Sequence, residues 1–313
     1  MKTQTILGAG GAIGRPLATE LRKYTDKVRL VSRNPKKIHP DDELISADLS
    51  NAEAVMNAVK GSEVVYLTAG LTYSVKVWRA QWPVIMANVI AACKAHEARL
   101  VFFDNIYMYS GDKLNPITES LPIKPPSEKG KVRAQIAQML LDAHTRGDIQ
   151  GLIARSADFY GPGTGAVSVL NDLVFSKISK GKTANWLGKS DCRHSFTYVP
   201  DAARATALLG NTPDAFGEVW HLPTHPDAPT GREWIEEVAR QCGSKPRLRS
   251  VGRGMLRFLG IFVPIMRELV EMMYQYEQDY VFSSAKFDKR FGMMATAYRT
   301  GITDALRADH LNN

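Results

Sequence analysis

Glycines at positions 8, 11 and 14 follow the first apolar run of the chain, Thr5-Ile6-Leu7, and precede the helix-like stretch Pro16-Leu17-Ala18-Thr19-Glu20-Leu21. A strand that turns directly into a helix needs residues tolerant of positive φ, and backbone bare enough for a diphosphate to approach. The first amides of the helix have no intrahelical partners, and the helix dipole favours an anion beside them. Any tight strand-to-helix turn carries a glycine or two. Placement at the first such turn, after a chain-starting strand, points to dinucleotide binding. Gly8, Gly10, Gly11, Ala12, Ile13 and Gly14 are the expected cradle.

Apolar runs alternate with helical patterns through the first half. Strands are expected at residues 3–7, 27–32, 43–47, 63–68, 99–103 and 151–155, with helices at about 51–59, 82–95 and 131–144. Strands separated by helices imply right-handed crossovers and a doubly wound parallel α/β sheet, Rossmann-like. The rhythm breaks after Tyr160-Gly161-Pro162-Gly163, and the sheet is expected to resume at 195–199 and 217–221. The domain division that follows is a nucleotide-binding domain of residues 1–160 with 195–223. A smaller, mainly helical substrate domain takes 161–194 with 224–313.

Composition narrows the classes. A hydrophobic fraction of 44% and a charged fraction of 23% are those of a globular protein. The start Met1-Lys2-Thr3-Gln4 lacks a charged leader with an apolar core, so no secretory signal is expected. Cys93, Cys192 and Cys242 are odd in number and widely separated, which suggests a reducing cytoplasm and neither disulfides nor a zinc site. The net charge of +8 is spread along the chain without a dense tract, which favours a small anionic ligand over nucleic acid. Residues 255–276 are the most apolar stretch, yet Arg257, Pro264, Arg267, Glu268 and Glu271 interrupt it. Stable membrane insertion is therefore not expected, and a helix packed in the second domain or lying on a membrane surface remains.

Strand two ends in Ser32-Arg33, where a fold that prefers NAD(H) carries an acidic side chain for the ribose hydroxyls. A guanidinium there, with no acid to repel a phosphate, favours NADP(H) over NAD(H). The alternative is a solvated basic turn.

Taken together, these features resemble the extended branch of the short-chain dehydrogenase/reductase superfamily, described as NAD-dependent epimerase/dehydratase, over nearly the whole chain. The spaced glycines match its cofactor loop. The resemblance implies that Asp48 and Leu49 contact adenine and that Thr68-Ala69-Gly70 lies along the cofactor, with Asn88 in the following helix. It places the stretch from Arg155 through Asp158 to Tyr160-Gly161-Pro162-Gly163 at the nicotinamide pocket and the start of the substrate region. Arg193 and His194 open a late segment whose beginning touches substrate.

The family's catalytic tyrosine, with a lysine four residues later, has no counterpart of the same type. Aligned on the glycine, Lys129 stands at the tyrosine position and Arg133 at the lysine position. The helper hydroxyl after strand five is also missing from Phe103-Asp104-Asn105-Ile106-Tyr107-Met108-Tyr109. The remaining catalytic candidates are Lys129 as proton donor, Tyr107 as a phenol arriving from a new direction, and Arg133 as a holder of ribose or phosphate. Asp104, Arg155 and Asp158 are expected near the cofactor, and Tyr109, Tyr160, Arg193 and His194 near an anionic, sugar-nucleotide-like substrate. The absence of a Gly-x-Ser-x-Gly turn and of clustered metal ligands removes hydrolase and metal readings. An NADP(H)-dependent oxidoreductase or epimerase, with a homodimer allowed, is the expected function. A non-catalytic cofactor-binding sensor or scaffold is the alternative.

Overall fold

The computed structural model describes residues 2–311. In chain order the first half contains β1 (Thr3–Leu7), α1 (Gly14–Leu21), β2 (Val28–Ser32), β3 (Glu43–Ser46), α2 (Ala52–Val59), β4 (Ser62–Leu67), α3 (Val75–Ala95), β5 (Arg99–Asp104), α4 (Glu128–Thr145) and β6 (Gly151–Arg155). Then follow β7 (Phe159–Tyr160), α5 (Ser176–Ile178), β8 (Ala184–Leu187), β9 (Thr197–Tyr198), α6 (Val199–Gly210), β10 (Val219–His221), α7 (Gly231–Gln241), β11 (Leu248–Val251), α8 (Arg253–Leu259), α9 (Pro264–Leu269), α10 (Ala285–Phe291) and α11 (Tyr298–Leu311). The chain divides into two units. Residues up to 107, 129–156 and 202–222 form the first, and 108–128, 157–201 and those from 223 onward form the second.

The first unit is built on a seven-stranded parallel sheet in the order β10-β6-β5-β4-β1-β2-β3. Ile6 of β1 lies opposite Leu30 of β2 on one side and Tyr66 of β4 on the other. Central strands are covered on both faces, which is why β1 and β4 read as continuous apolar runs and not as an alternation. On one face, α2, α3 and α4 press Val55, Trp82, Val89, Ile136 and Leu140 against Leu7, Val65, Leu100 and Phe102. Strand succession runs outward from β1 in one direction and from β4 in the other. The chain therefore leaves the C-terminal ends of these neighbours in opposite directions and opens a crevice there, the usual ligand position in such sheets.

Two elements differ from the sequence reading. α3 begins at Val75, two turns before the expected start, and holds Pro83 inside it. Proline denies the Arg79 carbonyl its helical donor, but burial of Trp78 and Trp82 on this helix compensates. β9 does not return to the large sheet. It pairs in parallel with β7 in a separate two-stranded sheet, because the Asp158 carbonyl accepts the Thr197 amide.

In the second unit β8 and β11 form another parallel pair. Its core gathers Tyr160, Phe175, Trp186, Phe196, Trp234 and Tyr298. Segment 108–128 belongs here and not with the sheet, held by bridges from Tyr109 to Ile123 and from Ile117 to Phe282. Among the described residues, no helix is long and apolar enough to cross a membrane.

Candidate functional site

The glycine turn sits at the C-terminal end of β1 in the first unit. Gly8 has φ +101°, and a Cβ there would stand 2.5 Å from the Ala69 backbone. Gly14 is equally constrained, since its Cβ would lie 2.7 Å from the Gly8 carbonyl oxygen. These two glycines therefore serve the close approach of β1, the turn after β4 and the start of α1. Gly11 is different. A Cβ there would meet nothing nearer than 3.4 Å, and one on Gly10 would meet nothing within 4 Å. Both are exposed, so no internal packing demands a glycine at either. A bare, exposed backbone is what a diphosphate needs. The N-cap of α1 is Ile13, which makes no side-chain cap, so no side chain takes up the amides of this helix start.

At the end of β2, the Ser32 hydroxyl oxygen is buried and has no hydrogen-bond partner. Arg33 beside it is exposed, and its carbonyl accepts the Ser46 hydroxyl. After β3, Asp48 accepts the Ser50 amide and hydroxyl, and these bonds hold its carboxyl below the usual range. Asn88 donates to the Leu49 carbonyl at 3.0 Å, which ties α3 to the Asp48-Leu49 segment. Thr68 is buried after β4, while Ala69 is half-buried and Gly70 exposed along the same edge.

The start of α4 carries Lys129 and Arg133. Lys129 is fully buried, with its Nζ 4.5 Å from the centre of the Tyr73 ring. Tyr73 belongs to the loop after β4, whose Ala69 abuts the glycine turn. One turn on, Arg133 donates from Nε to Asp104 at 2.7 Å. Its guanidinium lies 4.6 Å from the Trp82 ring centre and 4.8 Å from that of Phe102. Arg155 approaches the other Asp104 oxygen at 3.5 Å, and the Asn105 amide donates to the same carboxylate. Asp104 and Arg155 were expected at the cofactor. Both are buried at the ends of β5 and β6, where the Arg133 and Arg155 guanidiniums share the one Asp104 carboxylate. Tyr107 stacks on Trp78 at 6.3 Å, which commits its ring to α3.

In the second unit, Asp158 accepts the Tyr276 hydroxyl at 2.7 Å and lies 3.1 Å from Nε2 of His194. Both partners belong, like Asp158, to the second unit. The imidazole is sandwiched between Tyr276 and Tyr280, with ring centres 4.4 and 4.3 Å away. Arg193 next to it is exposed. Tyr160 and Tyr109 do not line a cleft, because both are fully buried. Tyr160 is packed among Phe175, Tyr198, Trp234 and Tyr298, and a Cβ on Gly301 would stand 2.2 Å from its hydroxyl.

Sequence reasoning passed over the rings that hold these charges. Tyr73 follows the β4 turn, Trp78 and Trp82 are one helical turn apart, and Tyr276 and Tyr280 are four residues apart. Aromatic residues at such intervals read as core, and only their closeness to a cation reveals the second use.

A profile of the group described as "NAD dependent epimerase/dehydratase family" matches residues 5–222. The 3-diazoavenalumate denitrifying reductase of a Streptomyces species is 26% identical over 274 residues, covering 82% of this chain and 87% of that protein. Among solved structures, UDP-glucose 4-epimerase of Thermus thermophilus in complex with NAD matches with a TM-score of 0.79 and 18% identity, over 98% of this chain and 99% of that one. UDP-glucuronic acid 4-epimerase of Bacillus cereus, also with NAD, gives 0.81 at 16% identity, over 99% and 100%.

Proposed function

The chain belongs to the NAD-dependent epimerase/dehydratase family, and from that membership we propose an NADP(H)-dependent oxidoreductase or epimerase that acts on a hydroxyl or carbonyl of a small anionic molecule. The observation that carries the cofactor choice is the end of β2, where Ser32 has an unpartnered hydroxyl and Arg33 faces solvent. In this reading Gly10, Gly11 and the amides starting α1 receive the diphosphate, with Ala12 and Ile13 in the turn. Arg33 and Ser32 hold the adenosine phosphate, Asp48 and Leu49 flank the adenine, and Thr68 to Gly70 line the path between. A nicotinamide bound there supplies hydride exchange. Lys129 holds or moves a proton, and Arg133 positions it through the Trp78 and Tyr73 rings. Arg193 supplies donors to the anionic part of the substrate, and His194 beside it, held between Tyr276 and Tyr280, fixes the segment that carries it. The two 4-epimerases solved with NAD, named for UDP-glucose and UDP-glucuronic acid, support a sugar nucleotide as the first substrate class to try.

A second reading, cofactor binding without turnover, is favoured by one observation. The guanidinium at the family's lysine position is already spent on Asp104 and three aromatic rings.

Calorimetric titration with NADP+ and NAD+ tests the cofactor assignment. Wild type is expected to bind NADP+ more tightly, and Arg33→Ala to weaken it by about 1.5–3 kcal/mol, the scale of a hydrogen bond to a charged group. Equal weakening of both cofactors, or a wild-type preference for NAD+, rejects the assignment. Gly11→Val is expected to fold and to lose both cofactors, since its side chain meets open space in the fold and the ligand's path in the site. Reductant consumption together with product analysis, which also detects a redox-neutral epimerisation, across a panel of UDP-sugars and small hydroxy or keto acids separates the two readings. Lys129→Met abolishes turnover under the first and has no turnover to abolish under the second.

A further inference from the structure

Helices α8 and α9, with the turn between them, form a hairpin of the second unit whose two sides are both apolar. The inner side is accounted for. Leu256 is fully buried, and Met266, Leu269 and Val270 pack with it against Leu187, Val251, Met273 and Tyr276. The outer side is not. Phe258 is 63% exposed, Ile261 and Phe262 73% each, and Met255, Val263 and Ile265 between 43% and 46%. The Phe258 and Phe262 rings meet edge to face, so they form one apolar knob. A contiguous exposed patch of this kind marks a contact surface, whereas isolated exposed apolar residues do not.

Charge decides what covers it. Arg257 and Arg267 are exposed on the hairpin, and the strand feeding it adds Arg247 and Arg249. The acids of the same stretch are turned to other work. Glu271 accepts the Glu128 amide, Glu277 forks onto Arg253, and Glu268 is half-buried. An exposed apolar knob with a cationic rim is therefore what the outer side offers. A second copy of the chain fits this poorly. A twofold contact would set one cationic rim against the other, and like charges across an interface are costly. The two helices are seven and six residues long, too short to span a bilayer. We propose that this hairpin docks the protein peripherally on an anionic lipid surface, with Phe258, Ile261 and Phe262 entering the acyl boundary and Arg257 and Arg267 meeting lipid phosphates. The proposal is independent of which cofactor or substrate the protein uses.

Sedimentation of the full chain with vesicles tests it, using phosphatidylcholine alone and an equimolar mixture with phosphatidylglycerol. Wild type is expected to pellet with the mixture and much less with phosphatidylcholine, and to be released as salt screens the arginines. Phe258→Ser/Phe262→Ser should lower partitioning about tenfold or more, from the transfer free energy of the two rings. Arg257→Gln/Arg267→Gln should abolish the preference for the anionic mixture. Val167→Ser and Met294→Ser, at exposed apolar positions elsewhere, should bind as wild type. All these sites are at the surface, and an unchanged circular dichroism spectrum checks the fold of each variant. No binding of wild type to either vesicle overturns the proposal, as does equal binding by the Phe258/Phe262 variant. A wild-type dimer that the same variant dissolves, without vesicle binding, overturns it in favour of a second copy.

Discussion

Asp104 in the first unit and Asp158 in the second are both carboxylates withdrawn into the interior, and they are held in opposite ways. Asp104 has no exposed side-chain surface and sits between two guanidiniums whose charge is permanent. Three aromatic rings close over Arg133 in turn. Asp158 keeps 15% of its side chain exposed and is held by a phenol and an imidazole. The first arrangement is a fixed structural lock, in which removing one charge strands the others in a poorly solvated place. The second retains access to water and gains only hydrogen bonds. A cluster of charges beside a candidate site is thus no single kind of object.

The largest effect is expected at the lock. Asp104→Asn removes the carboxylate that sits between the buried Arg133 and Arg155 guanidiniums and should cost about 3–5 kcal/mol of unfolding free energy in urea titration. Asp158→Asn keeps one acceptor oxygen and solvent access, and should cost about 1–2 kcal/mol. Equal losses for the two would erase the contrast. Tyr276→Phe removes one hydrogen bond while leaving the stack on His194, with about 1 kcal/mol expected. A loss as large as that of Asp104→Asn would show that the second cluster is also a lock.

The smallest effect marks the solvent-exposed limit of the same chemistry. The Arg240 guanidinium, hydrogen-bonded to Glu237, brings that carboxyl down to about 2 from an ordinary 4.5. A pKa lowered in the folded state contributes stability above the unfolded value and loses it as pH falls through the folded one. Wild type should therefore lose a little more stability than Glu237→Gln between about pH 4.5 and 2, by a few tenths of a kcal/mol given the exposure of the pair. A steeper difference, comparable to that of Asp158→Asn, would mean that solvent screening is weaker than the geometry implies.

Much of the first unit was legible because its signals are local. Strand runs such as Val64-Val65-Tyr66-Leu67, and glycines at turns with no room for a side chain, announce themselves in a few consecutive residues. The start of α3 was not legible, since Pro83 reads as a helix start and only the burial of Trp78 and Trp82 outweighs it. Tyr160 misled for the same reason. Its motif suggests a pocket wall, and its burial depends on Phe175, Trp234 and Tyr298, scattered over more than a hundred residues.

By itself, the sequence determined the parallel doubly wound sheet, the glycine turn at its first crossover and the absence of an acidic side chain after β2. Each depends on backbone sterics or on the period of burial along a short segment. Only the tertiary structure decided that β9 pairs with β7, that Arg133 is spent on Asp104, and that Asp158 belongs with His194 and Tyr276. Burial and the partner of a charge are properties of distant chain segments brought together, and no local pattern in the sequence records which segments will meet.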